Sequence, residues 1–224
     1  MNLTLFDLDG TLIETDSDHA FGVFLANMGW VEPAEFRRLN DAFYADYQAG
    51  CLDLPAYVAF TTSGWRHRPL AESLALRERF MDEVMRPALR EEARALVRRH
   101  LQAGDLVAII TATNEFVTEP IAQAFDVPHL MAVQLERDDQ GRYTGAIRGT
   151  PSFREGKILR VNDWLSDLGH ANGRQTFTRV TAYSDSINDL PLLEWATHPV
   201  ATNPAPSLAE VARQRAWPIL RLFP

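Results

Sequence analysis

The chain has 224 residues, 46% of them hydrophobic and 23% charged, enough to bury a core as one large domain or as a core with a modest insertion. Its 22 basic and 30 acidic residues leave a net charge of -8, which argues against a nucleic-acid or anionic-membrane partner. The one cysteine, Cys51, cannot form an internal disulfide, no apolar run approaches bilayer length, and an acid at position 7 occupies the place where a signal peptide needs its apolar centre. The expectation is a soluble, cytoplasmic protein.

Residues 3–6 are an apolar run that predicts a first strand, and Asp7-Leu8-Asp9-Gly10-Thr11 stands at its end. Two carboxylates spaced i, i+2 leave a strand end pointing the same way, and Gly10 lets the backbone turn sharply. The next strand does not begin until about Asp105. In between, Phe21, Phe24, Leu25 and Met28 trace one helical stripe. Phe36, Leu39, Phe43 and Tyr47 repeat it after Pro33, and Leu70, Leu74, Met81, Val84 and Met85 form a third that stops at Pro87. These stripes predict a helical bundle over residues 15–87, inserted into a core made of residues 1–14 and 88–224. A helix over 90–103, stopped by Gly104, leads back into that core.

Residues 106–110 predict a second strand, ending in the hydroxyl of Thr111. Helix follows over 116–125 and strand over 129–135. Asp139-Gln140-Gly141-Arg142 has the chemistry of a hairpin turn, flanked by Val133-Gln134-Leu135 and Tyr143-Thr144. Then come a helix over 153–168 closed by Gly169, a strand over 177–183, a helix over 187–195, a short strand over 199–202 and a loop over 203–206. The alternation predicts an α/β fold: a doubly wound, parallel, Rossmann-like sheet. Asp7, Thr111 and Asp185 each fall at the carboxyl end of a predicted strand, where such sheets bind ligands. The helical insertion leaves the chain at that same edge and is expected to act as a lid.

Four motifs therefore occur in order: Asp7-Leu8-Asp9-Gly10-Thr11, Thr111, Lys157 in Arg154-Glu155-Gly156-Lys157, and Asp185 with Asp189 in Tyr183-Ser184-Asp185-Ser186-Ile187-Asn188-Asp189. Together they resemble the haloacid dehalogenase superfamily, and the whole chain resembles its phosphatases. The chemistry fits a phosphate monoester. Asp7 suits the nucleophile that forms an aspartyl-phosphate, and Asp9, crowded by other carboxylates, suits the acid that protonates the leaving alkoxide. Mg²⁺ takes few protein carboxylates; Asp7 and Asp185 supply them. The resemblance adds the backbone carbonyl of Asp9, and Asp189 would hold metal-bound water. Thr111, the amides of Ala112 and Thr113, and Lys157 face the remaining phosphate charge. Alone, Asp189 reads as a helix-start acid and Lys157 as a solvated helix residue.

The insertion resembles the C1 cap of subfamily IB, the branch with phosphoserine phosphatases. Those enzymes carry Ser-Gly-Gly where this chain has Thr111-Ala112-Thr113-Asn114, and glutamate where it has Asp16. Asp16-Ser17-Asp18-His19 and Thr111-Ala112-Thr113-Asn114 resemble instead a sister branch that includes bacterial histidinol-phosphate phosphatases. Asp16 and Asp18 at the cap entrance favour a cationic substrate group and would repel the carboxylate of phosphoserine. Ser17 and Asp18 also read as a helix N-cap, His19 as a surface residue, and Trp65-Arg66-His67-Arg68 as a solvated basic turn in preference to a substrate grip. A phospho-accepting receiver domain shares the sheet, the aspartate nucleophile, the Thr and the Lys. It places its acidic pair on the first strand, its acceptor on a later one, and has no helical cap.

Overall fold

In the computed structural model, which describes residues 1–223, strand β1 (Asn2–Phe6) lies inside a six-stranded parallel sheet. On one side it pairs with β2 (Leu106–Asn114), which pairs in turn with β3 (His129–Val133). On the other side lie β6 (Arg179–Ser184), β7 (His198–Thr202) and the two-residue β8 (Ile219–Leu220). The chain leaves β1 in one direction and returns beside it at β6, so the carboxyl end of β1 is a topological switch point. Phe6 is level with Ile109 of β2 and Tyr183 of β6. Asp7, Thr111 and Asp185 follow within two residues of that line.

Alternation along the strands builds two cores. Leu3 and Leu5 bury one face with Ala108, Ile110, Val180 and Ala182. That face is covered by α8 (Glu155–Asp167), α9 (Leu190–Trp195) and α10 (Pro206–Gln214). Phe6, Val107 and Ile109 bury the other face, under α6 (Glu91–Gln102) and α7 (Glu115–Ala124). Burial on both sides explains why β1 and β2 read as near-continuous apolar runs.

Between β1 and β2 stand α1 (Ser17–Asn27), α2 (Pro33–Gln48), α3 (Leu54–Ser63), α4 (Leu70–Phe80), a π-helical turn (Met81–Met85) and the short α5 (Arg86–Ala88). Each of the first three starts on an acidic N-cap. Asp16 accepts from the His19 amide at 2.8 Å, Glu32 from Glu35 at 2.7 Å and Asp53 from Ala56 at 3.0 Å. The cap of α1 is therefore Asp16, one residue before the Ser17 and Asp18 that the sequence pointed to. The α3 segment, apolar on most sides, carries no stripe for a periodicity argument to find.

The expected strand over 129–135 is two strands. At Gln134 the chain turns out of the sheet, its carbonyl accepting from the Arg148 amide at 2.8 Å, while the Leu135 amide turns to the Glu115 carboxylate at 3.1 Å. Leu135 then opens a separate antiparallel hairpin, β4 (Leu135–Arg137) with β5 (Tyr143–Ile147). Neither α10, which follows a Pro-rich loop, nor the two-residue β8 was legible in the sequence.

Trp65-Arg66-His67-Arg68 is a joint, not a solvated turn. Trp65 is buried, stacked on Phe116 at 3.9 Å between ring centroids and edge-on to Tyr143 of β5. Arg66 donates to the Ala59 carbonyl at 2.9 Å and packs so closely over Gly145 that a Cβ there would lie 2.1 Å from its Nη1. Trp65→Ala is expected to cost about 3–5 kcal/mol in denaturant unfolding. A loss below about 1 kcal/mol would mean that the joint contributes no more than a surface residue. Among the described residues no helix is long and apolar enough to cross a membrane.

Candidate active site

Gly10 sets the geometry of the first turn. Its φ is +74°, and a Cβ on it would stand 2.4 Å from Asp185 Oδ2. Thr11 completes the contact between motifs: its hydroxyl donates to Asp185 Oδ1 at 3.0 Å, accepts from the Asp185 amide at 3.0 Å, and lies 3.4 Å from Asp7 Oδ2. Asn203 (φ +46°) braces the turn from outside, donating to the carbonyls of Gly10 and Thr11 at 3.1 and 3.2 Å. Gly10→Ala is expected to reduce kcat by about tenfold or more and to lower the melting temperature, because strain and overlap act together. Wild-type values for both would show that the turn tolerates a side chain.

Lys157 is fully buried on the first turn of α8, with Nζ at 2.8 Å from Asp7 Oδ1 and 2.6 Å from Asp189 Oδ2. Burial alone would lower its ammonium, but the Asp189 and Asp7 carboxylates outweigh that and hold it above the usual range. Burial, opposed by Lys157, pushes Asp7 up to about 7. Burial followed by the charge of Asp7 holds Asp185 well above the usual carboxylate range, with only Thr11 donating to its side chain. Asp189 Oδ2 also accepts from Ser184 at 2.8 Å.

Among the described residues no three acidic, His or Cys side chains gather as a metal-binding group, so Asp7, Asp9, Asp185 and Asp189 do not form a four-carboxylate cage. The reason is visible: Asp189 faces Lys157 and Ser184, and Asp9 points its side chain elsewhere. What remains is Asp7 with Asp185, two carboxylates bridged by Thr11 that share too little positive charge. That donor set fits a hard divalent cation completed by backbone oxygen, phosphate and water.

Asp9 is buried beside the second motif. Its Oδ2 accepts from Thr113 at 2.9 Å and Thr111 at 3.3 Å, and its Oδ1 from the Ser17 amide at 2.6 Å. Burial, reinforced by the Asp16 charge, pushes Asp9 up to about 6. Asp16 lies on the wall of the cavity above, and burial holds it too above the usual range. Asp18 is not on that wall. It is buried against Asn114, whose amide donates to it at 3.2 Å, and burial raises it well above the ordinary value. His19 pairs with Asp41 at 2.7 Å on the outer side of α1.

The cavity measures about 20 Å³, room for roughly one water. Asp7, Asp9, Thr111, Ala112 and Thr113 form its floor, and α2 and α3 its roof. An open vestibule of about 390 Å³ adjoins it, sharing Asp16 and Tyr44 and bordered by Glu14 and Arg90, which pair at 3.2 Å. A larger groove of about 610 Å³ beside α7, β3 and the hairpin holds none of the motif carboxylates. Sequence reasoning gave no role to Thr11, although it is the last residue of the first motif. It had no signal at all for Asn203 or for the aromatic roof.

The chain matches the model of the haloacid dehalogenase-like hydrolase family over residues 4–194. It is 42% identical to a histidinol-phosphatase of Neisseria meningitidis, over 98% of each chain. It is 31% identical to the phosphoserine phosphatase SerB1 of Mycobacterium tuberculosis, over 96% of this chain and 68% of that one. A crystal structure of a Bordetella pertussis protein of unknown function shares 48% identity and superposes with a TM-score of 0.92 over 99% of both chains. A substrate-bound phosphoserine phosphatase, at 17% identity, shares the fold with a TM-score of 0.65 over 97% of this chain and 91% of that one. The chain belongs to the haloacid dehalogenase-like hydrolase family. It is one of that family's phosphatases, acting on a small-molecule phosphate.

Proposed function

We propose that the protein is a Mg²⁺-dependent phosphomonoesterase that works through an aspartyl-phosphate on Asp7, with histidinol phosphate as its substrate. The observation that carries the reading is the placement of Asp16: a carboxylate on the wall of a cavity that no Lys, Arg or His lines. Lys157 pairs with Asp7 and Asp189 alone, and the nearby carboxylates of Asp9, Asp16, Asp18 and Asp185 have no cationic side chain as partner among the described residues. Even with a divalent cation and a phosphate added, that site favours a cationic leaving group, and the cavity lining offers no cationic side chain to a substrate carboxylate. The 42% identity to the Neisseria histidinol-phosphatase supports the same substrate.

Asp7 and Asp185, with the Asp9 carbonyl, would hold Mg²⁺, which supplies charge neutralisation for the phosphate. Lys157 fixes Asp7 Oδ1 at 2.8 Å and screens it from Asp189, leaving Asp7 Oδ2 to attack phosphorus. The P–O bond to the alcohol breaks as the Asp7–phosphoryl bond forms, and Asp9 gives its proton to the departing alkoxide. Thr111 and Thr113 orient the Asp9 carboxyl while it does so. Asp9 then takes a proton from the water that releases phosphate from Asp7. The roof formed by the insertion, residues 15–87, acts as the cap. It opens on the segments around Glu14 and Arg90 to admit substrate into a cavity otherwise closed to it.

Asp16→Asn tests the substrate. Asparagine caps a helix about as well as aspartate, so α1 keeps its start while the charge goes. The ratio of kcat/KM for histidinol phosphate to that for p-nitrophenyl phosphate should fall by about one to two orders of magnitude. An unchanged ratio, or a wild-type preference for phosphoserine, would return the substrate to the phosphoserine phosphatase alternative.

A further inference from the structure

The roof of the cavity is aromatic, and its parts are not equivalent. Phe43, Tyr44 and Tyr47 project from α2, and Tyr57 from α3. Tyr47 belongs to the phosphate side. After burial, the charges that hold its hydroxyl above the phenol range are those of Asp7, Asp189 and Asp185. Tyr57 belongs to the leaving-group side, where burial is followed by the charges of Asp18, Asp16 and Asp9. It lines the same cavity as Asp9 and Asp16. Phe43 backs it, with ring centroids 5.4 Å apart and planes at 51°, and is itself fixed against Phe60 at 5.2 Å. Tyr44 closes the side toward the vestibule, braced by the His19 ring at 5.0 Å.

We propose that Tyr57 and Tyr44, supported by Phe43, form a ring-selecting wall that takes a flat, nitrogen-bearing aromatic group on the leaving alcohol. This inference rests on the amino-bearing substrate proposed above and assigns the part of it that Asp16 does not contact. Three observations converge. The wall offers aromatic faces, which attract a planar cation or stack on a neutral ring. It stands next to the acid that protonates the leaving group, so whatever it binds is the alcohol and not the phosphate. The Tyr57 phenol, on the lining of the cavity that holds Asp9 and Asp16, can donate to or accept from a ring nitrogen, and a half-buried hydroxyl gains from such a partner. An aliphatic amine bound only through Asp16 would leave both the ring faces and that hydroxyl unused. The wall thus separates imidazole-bearing phosphates from simple aminoalkyl phosphates, a distinction that Asp16 alone cannot make.

The test is the ratio of kcat/KM for histidinol phosphate to that for 2-aminoethyl phosphate, which has the ammonium but no ring. It is measured with Mg²⁺ for the wild type, Tyr57→Phe and Tyr44→Leu, with melting curves to establish folding. The wild type should favour histidinol phosphate. Tyr57→Phe, which removes one oxygen and keeps the packing, should lower the ratio by about fivefold. Tyr44→Leu, which removes a face, should lower it by about tenfold. A wild type that does not prefer histidinol phosphate overturns the proposed substrate and the wall together. A wild type that does prefer it, with a ratio unchanged in a folded Tyr57→Phe and in Tyr44→Leu, overturns the wall and leaves the substrate standing.

Discussion

Asp7→Asn is expected to remove phosphatase turnover, by about four orders of magnitude or more in kcat, in a protein that still folds. An amide nitrogen or carbonyl oxygen lacks the charge to attack phosphorus, and no neighbouring group replaces it: Asp185 is turned to Thr11, Asp189 to Lys157 and Ser184. The fold should survive because Lys157 keeps Asp189 as its partner at 2.6 Å. The net charge around Asp185 also becomes less negative. Burial raises Asp7 to about 7, so its ionised form is disfavoured in the folded protein, a cost that appears as pH rises above the unfolded value. Without added metal at neutral pH, the variant should therefore melt at or above the wild-type temperature. Residual turnover within tenfold of wild type would remove Asp7 from the nucleophile's role.

Asp9→Asn should separate substrates by their leaving groups. General acid help is typically worth about 10²–10⁴-fold. Histidinol phosphate releases a basic alkoxide and needs that proton; p-nitrophenyl phosphate releases a stable phenolate and needs it far less. In single-turnover measurements of the phosphorylation step, the loss should approach the upper part of that range for histidinol phosphate and stay within about tenfold for p-nitrophenyl phosphate. Asparagine can keep its oxygen on the Ser17 amide while its NH2 donates to the Thr113 hydroxyl, which can turn to accept, so the local structure is retained. Equal losses for both substrates in this step would show that Asp9 acts by position alone.

How much of this was legible in the sequence follows physical lines. The sheet order was not, but β1, β2 and β6 were, because burial on both faces leaves largely apolar runs that Asp7, Thr111 and Asp185 end or interrupt. The helical insertion was legible wherever a helix has one wet face, as in α2, and illegible in α3, which packs on several sides. Trp65 misled because its neighbours Arg66, His67 and Arg68 are charged, while the indole itself reaches inward to Phe116. Within the site, six carboxylates, two threonines and Lys157 could be named from the motifs and the family resemblance they carry. Their pairing could not. That Asp189 faces the lysine, that Asp18 sits behind Asn114, and that Asp16 caps α1 while lining the cavity depend on side-chain directions. The aromatic roof was hidden for a different reason: Phe43 and Tyr47 belong to an α2 stripe that reads as core, and Tyr57 lies on α3, which has no stripe.

The most direct test of the account is the chemical state of Asp7 during turnover. Enzyme mixed with histidinol phosphate and Mg²⁺ is quenched in acid within the first turnover, digested, and its peptides are analysed by mass spectrometry before and after hydroxylamine. The account predicts one phosphoryl group on Asp7, in the peptide that carries Asp7-Leu8-Asp9-Gly10-Thr11, removed by hydroxylamine as an acyl phosphate is. Turnover with no phosphorylated peptide, or with the phosphoryl group on another residue, would contradict it.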